Sequence, residues 1–440
     1  MNKKYFIPIL VMVMFLFMFA AGCAPDEEPA EPVDEPEEVE AVDGEPIKIG
    51  VVGPMDFIQG EHHWFGAQLA QEEINERGGV MVGEQQRPIE LIQADTNEIL
   101  SVEDAISAVE RVITRDGVDF IVGGFRTESV LGMQDVAMDY QTIFMGCGAI
   151  HPELCNRVAE DYDRYKYWFR VTPLNSYNVG EASFHQLENV AEIMLEDLGI
   201  EELRVALLFE MIVGWDPILE EAQDRLPEMG MEIVGTWRPS QMADDVRSEL
   251  TAIENAEAHL IFSFLSGPVG VAFGRQWGEM EVPAAVVGVN VEAQKAGYWE
   301  ATAGHGEYDN TLNFYGGVEI NELSLPFWER FQERFGEHPI YNAGTYEAIL
   351  ILAEAIERAG TIDPDAVVDE LEQTDMELPQ GRVVFTEDHD ISWGPDYSTT
   401  VGSQWLDGEL KVVWPWGWEG ITYDGTVRYR IPPWVVEKWQ

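Results

Sequence analysis

Residues 47–94 read IKIGVVGPMDFIQGEHHWFGAQLAQEEINERGGVMVGEQQRPIELIQA, and this stretch decides the fold class. Ile47 to Gly53 is an apolar run closed by Gly53-Pro54, which predicts a strand entering a turn. Gly66 to Arg77 then carries Ala67, Ala70 and Ile74 at helical spacing and stops at Gly78-Gly79, a C-terminal cap signal. Ile89 to Ala94 predicts a second strand. The segment between them, Glu61-His62-His63-Trp64, reads as loop, with both histidines solvated. Adjacent histidines face different ways, so they do not make a metal site by themselves.

The alternation continues outward from this unit. Ser101 to Thr114 predicts a helix, with Ala105, Ile106, Val109, Val112 and Ile113 on one face and Ser101 with Asp104 as a capping pair. Asp119 to Val122 predicts a strand, Ser129 to Tyr140 a helix and Thr142 to Met145 a strand. The pattern restarts later. Strands are expected at Leu203–Phe209, Met231–Thr236, His259–Phe264 and Ala284–Val289. Helices fall between them at Pro217–Met229, broken near Pro227, and at Val246–Asn255 and Val269–Trp277. Thr311 to Val318 reads as a return crossing, Pro326–Phe335 and Ala343–Arg358 as helices, and Val383–Phe385 and Ser403–Leu406 as late strands. Strands alternating with helices build parallel, doubly wound sheets. Two such runs in 440 residues predict two α/β lobes joined by several crossings, a hinged clam. Guests of such sheets sit beyond the carboxyl ends of the strands.

The N-terminus is an address. Lys3 and Lys4 precede an apolar run from Phe6 to Ala21, which ends in Ala20-Ala21-Gly22-Cys23. That ending resembles the bacterial lipobox, which implies cleavage before Cys23 and a thioether lipid on it. Residues 24–46 then hold eleven acids, repeated prolines and no basic residue. They cannot bury enough apolar surface to fold, and like charge extends them into a tether.

Charge excludes one class of partner. Asp plus Glu is 81 against 26 for Lys plus Arg, a formal net charge of −55. Nucleic acid is repelled by such a surface. The excess runs along the whole chain, and self-repulsion on this scale destabilises a compact fold at low salt. Salt near 1 M shortens the screening length to roughly 3 Å. Adaptation to a salty environment is therefore expected.

Several stretches together resemble the type I periplasmic solute-binding proteins of the branched-chain amino acid class, which feed ABC transporters. They are Ile49 to Met55, Ala70 with Ile74-Asn75-Glu76-Arg77-Gly78-Gly79, Val122 to Thr127, Gly146 to Leu154, Phe169-Arg170 with Pro173, and Tyr346-Glu347-Ala348 with Leu352 to Ile356. The resemblance runs from about 47 to 410. It implies a Venus-flytrap of two lobes that closes on a small amino-acid-like, amide or carboxylate solute. The partners it implies are a permease, an ATPase and, through lipidated Cys23, the outer face of the cell membrane; no cofactor is implied. It divides the chain into a leader (1–22), the tether (23–46), lobe one (47–171 with 317–400), lobe two (172–316 with 401–413) and a Trp/Pro-rich wrapping tail (414–440).

Site residues follow from the same resemblance. Thr127 matches the hydroxyl, and Gly148 and Ile150 the backbone N–H groups, that hold a guest's carboxylate; Phe125 and Ala149 belong to the same two loops. Trp64 matches a ligand-covering aromatic. The family's lobe-two aromatic and acid fall on Ser266 and Asn290. Loss of the acid at Asn290 leaves an ammonium group without a countercharge unless Glu210 or Glu61 supplies one, and an unpaired buried cation is costly. From the residues themselves, Arg126 could pair bidentately with a carboxylate or with a neighbouring acid. Trp215 and Tyr177 are candidates to stack on a guest or simply to pack. Cys147 and Cys155 stand eight apart in an oxidising compartment, either bridged or as free buried thiols.

Enzyme signatures are missing: there is no Gly-x-Ser-x-Gly elbow, His-Glu-x-x-His or Walker loop. A ligand-sensing domain for a signalling partner is the alternative role, and an enzyme on this fold the more distant one.

Overall fold

The computed structural model describes residues 44–440. The leader and most of the tether, with Cys23, lie outside the described residues. Lobe one opens with β1 (Ile47–Gly53), α1 (Ile58–Glu76), β2 (Ile89–Asp95), α2 (Val102–Thr114), β3 (Phe120–Gly123), α3 (Thr127–Asp139), β4 (Ile143–Gly146) and β5 (Trp168–Arg170). All five strands are parallel, in the order β2-β1-β3-β4-β5. β3 is buried throughout and β1 at every residue but the half-buried Lys48, as a parallel sheet between helix layers requires.

After Val171 to Pro173 the chain passes to lobe two. There α4 (Ser176–Leu198), β6 (Leu203–Phe209), α5 (Asp216–Glu228), β7 (Met231–Trp237), α6 (Arg247–Asn255), β8 (Leu260–Leu265), α7 (Val269–Glu279) and β9 (Ala285–Asn290) form a second parallel sheet, ordered β9-β8-β6-β7. Pro227 sits in the last turn of α5 and does not break it, because only the end of the helix follows. β10 (Asn310–Asn313) ends lobe two and pairs antiparallel with β11 (Val401–Leu406), which pairs with β12 (Glu409–Trp414). Between these, α8 (Ser324–Phe335) and α9 (Thr345–Ala359) pack against α1 of lobe one. The tail then lies on lobe two: the indole N–H of Trp434 donates to the Val282 carbonyl at 2.9 Å and that of Trp439 to Pro283 at 2.6 Å.

Register places the site. Val52 of β1 stands beside Gly123 of β3, and Gly123 beside Gly146 of β4, so the carboxyl ends of three strands finish level. The loops 124–127 and 147–150 leave from this edge together. Gly148 is required there, because a Cβ would strike the Gly124 carbonyl oxygen and lie 2.7 Å from Phe125 Cα. In lobe two, Phe209, Phe264 and Val289 stand level in the same way, so Glu210, Leu265-Ser266 and Asn290 end their strands together.

One expected loop is helical. α1 begins at Ile58, so Glu61, His62, His63 and Trp64 lie within it, and both histidines are fully buried. His63 Nε2 donates to the Cys147 carbonyl at 3.0 Å, and His62 Nδ1 accepts from the Ile340 N–H at 3.3 Å. Burial holds both imidazoles neutral, His62 pushed down to about 3 and His63 to about 4.

The crossings meet at one carboxyl group. Glu347, in the first turn of α9, is fully buried and accepts from the Tyr315 hydroxyl at 3.2 Å, from the Gln380 N–H at 3.0 Å and from the Gln380 amide. Gln380 in turn donates to the Val171 carbonyl at 3.3 Å, on the first crossing. Burial raises Glu347 to about 8, since no cation compensates the lost hydration.

Candidate functional site

The cleft between the lobes is shut. Gln59 of α1 donates its side-chain N–H to the Ser266 carbonyl at 2.8 Å, and the Val213 N–H reaches Glu128 Oε1 at 3.5 Å. Gly214 faces lobe one so closely that a Cβ there would lie 3.1 Å from Ile150 Cγ1 and 3.4 Å from Thr127 Oγ1. Behind this contact is a chamber of about 20 Å³, walled by Phe125, Arg126, Thr127, Gly148 and Ile150 from lobe one and by Ile212, Gly214, Trp215, Gln241 and Ser266 from lobe two, with Tyr341 between. A second chamber of about 30 Å³ shares Ile150, Trp215 and Tyr341 as walls. Its other walls are mostly apolar and include Pro173, Val179, Val289, Leu312 and Phe314.

The two faces of the first chamber differ chemically. On the lobe-one side, the Thr127 hydroxyl and the N–H groups of Gly148 and Ile150 have no hydrogen-bond partner among the described residues. These are donors beside a chamber, the arrangement that replaces the hydration of an anion. The adjacent N–H groups of Phe125 and Arg126 are already taken by Glu98 Oε2, at 2.9 and 2.8 Å. Glu98 is fully buried, and burial raises it to about 7.

Behind the lobe-two side stands Glu210, just past the end of β6 and fully buried; its carboxylate accepts from Trp215 Nε1 at 3.1 Å, from the Gly267 N–H at 3.1 Å and from the Ser266 hydroxyl, and so holds the Trp215 and Ser266 walls in place. Burial pushes its pKa up against those donors. Gln241 lines the chamber with a buried carbonyl oxygen, Oε1, that meets no donor. An unpaired buried acceptor costs about 1–3 kcal/mol, a cost that a guest's N–H would relieve.

Seven of the residues singled out from sequence therefore share this chamber: Phe125, Arg126, Thr127, Gly148, Ile150, Trp215 and Ser266. Ala149 lies buried between two of them. Others lie elsewhere. Trp64 is on α1, half-buried against the lobe-one core, and lines neither chamber. Tyr177 is 55% exposed. It lines an open trough with Asp216, Glu220, Glu221 and Asp224. Asn290 turns into lobe two, where its amide donates to Asp309 Oδ2 at 2.8 Å and to the Gly270 carbonyl at 3.2 Å. Glu61 is exposed on α1. The Arg126 guanidinium is engaged by Glu128 at 3.2 Å and by the Ile99 carbonyl at 2.6 Å, so its charge is matched within lobe one. Cys147 and Cys155 are free buried thiols, Cys147 against the Met145 carbonyl and Cys155 beneath Arg170, and no bridge closes the loop.

Sequence reasoning missed Gln59, Ile212, Gly214, Gln241 and Tyr341. Ile212, Gly214 and Gln241 lie in loops at the carboxyl ends of lobe-two strands, so the rule that found Trp215 applied to them as well. Tyr341 sits in a short helical turn before α9, and no strand-end signal points to it.

A family model described as "Periplasmic binding protein" matches residues 46–393, and the chain belongs to that family. Among curated relatives, Leu/Ile/Val-binding protein homolog 7 of Brucella abortus (strain 2308) is 23% identical over 389 residues, covering 84% of this chain and 91% of the relative. The branched-chain amino acid transporter substrate binding protein LivJ from Streptococcus pneumoniae, solved with isoleucine, superposes with a TM-score of 0.69 at 18% identity, covering 84% of this chain and all (100%) of that one. A solute binding protein of an ABC transporter from R. palustris, solved with benzoate, gives a TM-score of 0.67 at 14% identity, covering 87% and 97%. These likenesses show the fold: two parallel α/β lobes of the type I periplasmic binding kind. The family is one of solute-binding proteins, not enzymes.

Proposed function

We propose that this chain is the extracytoplasmic binding component of an ABC importer, which captures a small carboxylate-bearing solute by closing its lobes and presents it to a permease. The observation that carries this is the lobe-one donor set of Thr127, Gly148 and Ile150 beside a chamber that lobe two covers. Isoleucine and benzoate, the guests of two structural relatives, both carry a carboxylate, which fits such donors. We read Cys23 as a lipid anchor and residues 24–46 as the tether that keeps the lobes clear of the membrane.

A thermal-shift screen of amino acids, amides, carboxylates and compatible solutes, run in high salt, tests the reading. A bound guest raises the melting temperature by mass action. Thr127→Ala should remove most of that shift, and an unchanged shift would take Thr127 out of the site. Without any guest the melting temperature should climb as salt is added, because the −55 charge is then screened; a fall would end the salt-adaptation reading. Cys23→Ala should lose both palmitate label and membrane association.

A further inference from the structure

The N–H groups of Gly148 and Ile150 cannot turn freely. The peptide bonds from Cys147 to His151 are trans. In a trans peptide the N–H points opposite to the carbonyl of the residue before it. Whatever holds the Cys147 and Ala149 carbonyls therefore aims the Gly148 and Ile150 N–H groups. The Cys147 carbonyl accepts from His63 Nε2 at 3.0 Å and from Asn342 Nδ2 at 3.2 Å. The Ala149 carbonyl accepts from Arg170 Nη1.

Arg170 ends β5, is fully buried and lines neither chamber. Its Nη2 donates to the His151 carbonyl at 2.8 Å, and its Nε to Asp390 Oδ1 at 2.9 Å. The other oxygen of Asp390 accepts at 3.1 Å from Asn175 Nδ2, on the residue that caps α4. Asp390 alone matches the charge of Arg170, yet the guanidinium turns two of its edges to the loop carbonyls at 149 and 151. A buried ion pair adds little stability over apolar side chains of the same volume, so what this one contributes is conformation. It also polarises. A cationic donor on the Ala149 carbonyl draws electron density through the peptide and strengthens the N–H on its far side as a donor.

Granted the carboxylate reading on which this rests, we infer that Arg170 is the positioning residue of the anion grip. Through the Ala149 carbonyl it aims and polarises the Ile150 N–H toward the guest's carboxylate, without touching the guest. The Gly148 N–H is aimed separately, by His63 and Asn342.

Titration of the isotope-labelled full chain with acetate, and with acetamide as its neutral isostere, tests this through the amide resonances of Gly148 and Ile150. In the unaltered chain acetate should move both resonances and bind tighter than acetamide. Arg170→Lys keeps the charge but offers one point in place of a planar fork. It should weaken acetate by about tenfold, the scale of one hydrogen bond to a charged group. Acetamide should lose less, so the acetate-to-acetamide ratio falls, whereas a loosened fold would weaken both probes alike. Before any probe is added, the Ile150 resonance should move in this variant and the Gly148 resonance should stay nearly in place. The double variant Arg170→Gln with Asp390→Asn leaves no unpaired buried charge. It should show the same fall in ratio and serves if Arg170→Lys does not fold. In the unaltered chain a scalar coupling across the hydrogen bond should join Arg170 to the Ala149 carbonyl carbon, and its absence overturns the inference whichever variants fold. Equal losses of the two probes, or an Ile150 resonance left in place, overturn it as well. Acetate that moves neither resonance of the unaltered chain is a different failure: the carboxylate reading then falls, and this inference with it.

Discussion

Thr127, Gly148 and Ile150 meet the cleft with one hydroxyl and two backbone N–H groups, whereas Gln241 meets it from the other lobe with an amide oxygen, and the Glu210 carboxylate stands behind Trp215 and Ser266, which line it. Both sets stand at carboxyl ends of parallel strands, so the folds beneath them are alike. The difference lies in how each polarity is made. Lobe one builds its donors from main chain exposed by tight loops, which depends on glycine at 148 and tolerates change in the neighbouring side chains. Lobe two builds its acceptors from side chains, and these change with a single substitution.

The largest expected effect comes from the side-chain half. Glu210→Gln replaces the charged acceptor that holds the Trp215 and Ser266 walls with a neutral one and should weaken guest binding by about thirtyfold, since hydrogen bonds to a charged group are worth about 1.5–3 kcal/mol. Calorimetry checks it. Tighter binding in that variant would mean that this charge repels the guest and would break the comparison. Thr127→Ala removes one donor to a charged group and should cost about tenfold.

A smaller effect comes from the protons that buried acids hold. In lobe one, Glu98 is raised to about 7 and Glu347 to about 8. Each holds a proton in the folded chain that the unfolded chain gives up near 4.5, so their contribution is complete below that pH and lost as pH rises through 7 and 8. His62 and His63, lowered to about 3 and 4, act in the opposite sense, but only as pH falls below 6.5. The melting temperature should therefore decline between pH 6.5 and 8. Glu347→Gln should make that decline shallower, and a slope unchanged in this variant would remove Glu347 as its source. The smallest effect is at the lip: Gln59→Ala should weaken every guest by the same factor of about five, one neutral hydrogen bond's worth. Unequal factors would place Gln59 against the guest.

The succession of strands along the chain and the position of the cleft were legible because apolar runs ending in Gly or Pro mark β1, β3 and β4, and guests sit where such runs end. The start of α1 was not. Phe57 at its N-cap makes no side-chain bond, and Gly60, His62 and His63, which look like loop residues, are instead the inner face of a helix packed against neighbouring main chain. A Cβ at Gly60 would collide with the Pro54 carbonyl, so the glycine there serves close packing. α4 went unassigned although Asn175 caps its start, accepting from the Asn178 N–H at 3.0 Å, and Gly199 ends it at φ 68°. Asn290 was placed at the right strand end, but whether its side chain faces the cleft or the lobe depends on Asp309, nineteen residues away and beyond any local pattern.

The bond from Gln59 to the Ser266 carbonyl joins the lobes without passing through the cargo. Its acceptor is main chain, so no substitution at 266 deletes it, and the strength of the clasp is set at position 59 alone. A fastening that ignores cargo shuts vacant molecules as well as laden ones. Each guest then finds only the agape fraction open to entry, and the rate of capture drops in proportion to that fraction. Position 59 is thus a dial for how hungry the carrier is, separate from what it eats.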